Sequence, residues 1–131
     1  MARGQTIAPT LEDIERLAQA AVEELPDGFR QFLDGVLLRV ADFPDEDVMR
    51  DMELESPFDI LGLYHGRSIA SEAVTGAMPD VVYLYRRPIL DEWADSGETL
   101  EALVTHVLVH EVGHHFGLSD DDMDRIEAMT R

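Results

Sequence analysis

Leu11, Ile14, Leu17, Ala18, Ala21, Val22 and Leu25 recur at helical spacing, with Thr10 as an N-cap before them and Pro26 to stop them. The first predicted element is therefore an amphipathic helix from Thr10 to Leu25. A short helix around Phe29–Leu33 follows, ahead of Gly35. In Val36–Phe43 the period changes to two, with Val36, Leu38 and Val40 on one face, which predicts a strand. The stretch PDEDVMRDMELESP is polar and reads as a connection with room for one helical turn. Asp59–Gly66 is a second candidate strand. Val81–Arg86 is the clearest, β-branched and aromatic between Pro79-Asp80 and Pro88. Ile89–Ala94 reads as helical.

From Thr99 the pattern becomes a strong helix. Leu100, Leu103, Val104, Val107, Leu108, Val109 and Val112 make it apolar on nearly every side, so it should lie at the centre of the fold. Gly117 is suited to end it, because glycine takes the left-handed conformation without steric cost. Ser119 can cap a last short helix to about Met129, with Asp120, Asp121 and Asp122 in its first turn. These elements predict an α+β fold in which a small sheet of about three strands packs on helices.

Composition narrows the chemistry. A chain of 131 residues with a 45% hydrophobic fraction is expected to form a single globular domain, 1–131, with a loose start over residues 1–9. There is no cysteine, so a metal must be held by histidine and carboxylate. There is no lysine, which excludes Schiff-base catalysis. With 28 acidic and 10 basic residues the net charge is −18, which argues against nucleic acid and anionic membranes as partners. No long apolar run marks a signal peptide or a membrane span, so a cytoplasmic location is expected.

The candidate chemistry lies in HEVGHHFGLSD, from His110 to Asp120. His110 and His114 are four residues apart, one turn plus about 40° and about 6 Å of rise, so both imidazoles leave one helix face. Glu111 points to the side, where it can serve as a base. A zinc ion needs a third protein ligand if the fourth position is to stay open for water. Gly117 reverses the chain, and Asp120 follows at an offset that could pass under the metal. The whole reads HExxHxxGxxD, the long metzincin motif with Asp where most members carry a third His. By residue frequencies alone HExxH arises in roughly one such sequence in fifty, and the long form in roughly one in several thousand.

HEVGHHFGLSDDDM, with the helix TLEALVTHVLV before it and ILGLYHG and VVYLYRR upstream, resembles the bacterial minimal zincin-like metallopeptidase family. The resemblance covers roughly Thr10 to Met129. It implies a compact zincin-like fold, Zn2+ on the HExxH helix and a peptide or protein substrate. It assigns His110, His114 and Asp120 as ligands and Glu111 as the base. Metzincins also carry a methionine floor beneath the metal. Met123 and Met129 are available here, though an apolar methionine on a short helix is more often core.

Other side chains compete for roles. Asp121, Asp124 and Glu127 are alternatives to Asp120 as third ligand, because Ser-Asp-Asp-Asp is also what a helix start favours. His106 is expected to pack or to support the site, and His115 to be exposed or hydrogen-bonded. Gly113 inside the helix suggests close approach of another element, such as a strand. Tyr64, His65, Tyr83 and Tyr85 are the available oxyanion donors, none preferred. Val81–Arg86 could pair with an extended substrate as an edge strand.

Overall fold

The computed structural model describes residues 6–66 and 79–130. Helix α1 spans Leu11–Glu24, and Thr10 caps it in a reciprocal box with Asp13. Helix α2 (Asp27–Arg30) runs into a 3-10 turn over Gln31–Leu33. Strand β1 is Leu37–Ala41, and helix α3, Glu46–Asp51, takes the place of the expected polar connection. Its start was legible: Asp45 accepts a hydrogen bond from the Val48 amide, as a capping residue does. Strand β2 is Gly62–His65 and β3 is Val81–Tyr85.

Helix α4, Arg86–Ser96, begins three residues before the expected Ile89. Pro88 does not bar it, because the first-turn amides of a helix have no intrahelical partner to lose. Helix α5 is Leu100–His115, capped by Thr99, and helix α6 is Asp120–Met129, capped by Ser119 in a box with Asp122. The loose start expected over residues 1–9 lies, for residues 1–5, outside the described residues. Pro9 is tied down, its carbonyl accepting from Arg86 Nε at 2.6 Å.

The three strands make one mixed sheet in the order β1-β3-β2, with β1 parallel and β2 antiparallel to β3. This α+β arrangement is the one expected, but β3 is its central strand. Both edges of Val81–Tyr85 are already hydrogen-bonded, so it cannot add a substrate strand as an edge would. The apolar character that made it the clearest strand is that of a strand enclosed on both sides.

Val82 and Leu84 on β3 turn one face of the sheet toward α5, whose Val104, Leu108, Val109 and Val112 are fully buried. Ile14 and Ala18 of α1 complete that core. α5 is thus enclosed by the sheet, α1, α4 and α6, as its all-round apolar pattern requires. The stripe it leaves outside this core carries His106, His110 and His114, and among the described residues α6 lies along it.

Candidate metal centre

The reversal that brings α6 onto the histidine stripe is written in the backbone. Gly117 takes φ +78°, the Gly117 amide bonds the His114 carbonyl, and the Leu118 amide bonds the Gly113 carbonyl at 2.9 Å. These are the paired bonds of a Schellman end, which satisfy two carbonyls that the helix would otherwise orphan. Ser119 then starts α6 at once, so α5 and α6 run antiparallel over a short turn.

Gly113 makes the packing close. A Cβ there would meet Met123 Cγ at 2.9 Å, so the element that Gly113 admits is α6 and not a strand. Met123 is fully buried against it, whereas Met129 is largely exposed. The glycine that admits a strand is Gly62 of β2, whose Cβ would lie 2.9 Å from Val107 Cγ1 and 3.3 Å from Glu111 Cγ. A glycine inside a strand pattern signals such an approach, and that signal was present in ILGLYHG.

Two groups of side chains converge. The ligand atoms of His110, His114 and Asp120 lie within 4.8 Å of one another, and so do those of His106, His110 and Glu127. His110 belongs to both. In the first group His114 Nε2 is 3.9 Å from Asp120 Oδ1, and these side chains are open to water, 60% and 85% exposed. In the second, Glu127 sets Oε1 2.8 Å from His106 Nδ1 and Oε2 3.3 Å from His110 Nε2. Asp121 and Asp124 are exposed and belong to neither group among the described residues.

Glu111 lies beside the first group, half-buried under β2. Burial pushes its carboxyl above the usual range; the charge of His114 and the Tyr64 backbone N–H, which donates to the carboxylate, pull partly the other way. Tyr64 itself is occupied. Its hydroxyl donates to Asp80 Oδ2 at 2.8 Å, and its ring stacks on His115 at 3.8 Å between centroids. Burial and then that Asp80 contact hold the phenol well above its usual range, so it stays neutral. Burial, followed by the charge of Asp45, pushes Tyr85 up to about 12. His65 is exposed, and no one of the four candidate donors is singled out as an oxyanion partner.

The donors fit a zinc ion. Two imidazoles and a carboxylate are the nitrogen and oxygen ligands zinc accepts, and they converge on a helix face without help from cysteine. Glu127 adds a buried carboxylate, 8% exposed, with no arginine against it among the described residues.

The family model described as zincin-like metallopeptidase matches residues 33–130 of the chain. Among solved structures, the chain is similar to a conserved hypothetical protein from T. thermophilus. The two are 26% identical, with a TM-score of 0.51, over 82% of this chain and 94% of that one. No curated protein matches.

Proposed function

The chain belongs to the zincin-like metallopeptidase family, and from that membership and the α5–α6 geometry we propose that it is a zinc-dependent peptidase. In this reading His110, His114 and Asp120 hold the metal and Glu111 is the general base. The observation that carries it is the grouping itself: both histidines of the HExxH pair converge with Asp120, while Glu127 converges with His110 but not in a group with His114.

Zinc held by His110, His114 and Asp120 would supply Lewis-acid polarisation of the scissile carbonyl and a lowered pKa for a water. Glu111 takes the proton released and returns it to the leaving amine. Its raised proton affinity suits that exchange, because a base that must also act as an acid works best with a pKa near the working pH. The Tyr64 amide holds the carboxylate in place from β2. The net charge of −18 disfavours polyanions as partners, and the family membership favours a peptide or protein substrate.

The test is to incubate the zinc-loaded chain and its Glu111→Gln variant with a complex peptide mixture and to count cleavages by mass spectrometry. The parent should cleave, and the variant, at equal zinc content, should be slower by about 100-fold or more. Equal rates would sink the mechanism. A second reading, a zinc-stabilised module without turnover, draws on Glu127 Oε2 lying 3.3 Å from His110 Nε2, a further protein donor close to the metal ligands. That reading takes over if neither protein cleaves anything.

A further inference from the structure

His106, His110 and His114 repeat the four-residue interval twice, so α5 presents two successive histidine pairs on one stripe, and α6 supplies a carboxylate to each. We propose that His106, His110 and Glu127 form a second position for a divalent cation of the zinc class, one turn up the helix from the hydrolytic position and in competition with it. The competition rests on the hydrolase reading above; the position itself does not.

Three observations carry the position. Its three ligand atoms lie within 4.8 Å of one another. Two donors on one tetrahedral zinc, each at about 2.0–2.1 Å, stand about 3.3 Å apart. The His110 Nε2–Glu127 Oε2 separation is 3.3 Å, and His106 Nδ1–Glu127 Oε1 is 2.8 Å, close enough to open by a small side-chain shift. Third, Glu127 is the buried charged residue of the described chain. Among the described residues its ion-pair contacts are those two imidazoles, with no guanidinium beside it. A buried carboxylate is stabilised when a dication replaces the water it has lost.

Sharing His110 makes the two positions exclusive. A neutral imidazole offers a single lone pair, and serving two ions at once would require it to lose its second proton, which does not happen near neutral pH. One ion per chain therefore divides between a sheltered position closed by Glu127 and an open one beside Glu111. An ion in the upper position is held without His114 and Asp120, so the open position beside Glu111 is empty and hydrolysis is idle. Occupancy of the upper position would thus hold the enzyme in reserve.

Titration of the metal-free full chain with Zn2+, followed by calorimetry, separates the positions. His114→Ala breaks the open position and leaves the upper one intact, so it should still bind one ion. Adding His106→Ala to it should weaken that binding by about 100-fold or more, since even an outer hydrogen-bond partner of a ligand is worth 10–100-fold. His106 and His114 are both about half exposed or more, so neither change should threaten the fold, and His106→Gln provides a second version of closer shape. The proposal is overturned if His114→Ala binds zinc no better than the double variant, or if the parent takes up two ions. His106→Ala alone retains the open group; its failure to bind would count against the hydrolase reading and the competition, while the His114→Ala result would still decide the upper position.

Discussion

A methyl group on Gly62 would lie 3.3 Å from Cγ of Glu111, so the backbone of β2 passes directly over the side chain assigned to proton transfer. The same methyl would stand 2.9 Å from the Tyr83 carbonyl oxygen, which is fixed by the sheet and cannot yield. The contact couples the strand to the helix at the point where the chemistry is placed.

Gly62→Ala should therefore destabilise the protein by about 1–3 kcal/mol, the usual penalty for an extra carbon in a packed interior. It should also lower hydrolysis beyond the loss of folded protein, because Glu111 must move. Gly28→Ala, where nothing lies within 4 Å, is the control and should be near neutral. Equal denaturation midpoints for the two variants would show that the approach is not tight.

Met123 is the packing pin between α5 and α6, fully buried against Gly113. Met123→Ala should cost about 2–5 kcal/mol, in the range of large-to-small changes at buried sites. Met129→Ala, at an exposed position, should cost little. Chemical denaturation measures both. Because Asp120 and Glu127 are carried on α6, the Met123 variant should also bind zinc more weakly even where it is folded.

Burial raises the Glu111 carboxyl above its ordinary value, so in the metal-free chain the ionised form weakens the fold. The group's favourable contribution is present below the unfolded pKa, near 4.3 on average, and is lost as pH rises through the higher folded value. Metal-free Glu111→Gln should match the parent near pH 4 and be the more stable of the two at neutral pH. Melting temperatures in chelator across that range check it; a difference independent of pH would contradict the account.

Much of this was legible in the sequence because periodicity and caps are local. Thr10 and Ser119 each cap the helix assigned to them, and the all-round apolar run of Leu100–Val112 identified the enclosed helix. What escaped was set by distant partners. Whether Val81–Tyr85 is an edge or a centre depends on what pairs with it, and nothing inside that segment says so. Gly113 announced a close approach but not by which element. Where Asp120 and Glu127 lie depended on the direction of α6, since seven residues carry the two carboxylates to different histidine pairs that share His110.

The whole account turns on His110, the one residue common to both groups. The most direct measurement is a zinc titration of the metal-free chain against its His110→Ala variant. One zinc per parent chain is predicted, with affinity lower by about 100-fold or more in the variant. Zinc bound equally by both, or by neither, would contradict a metal centre between α5 and α6.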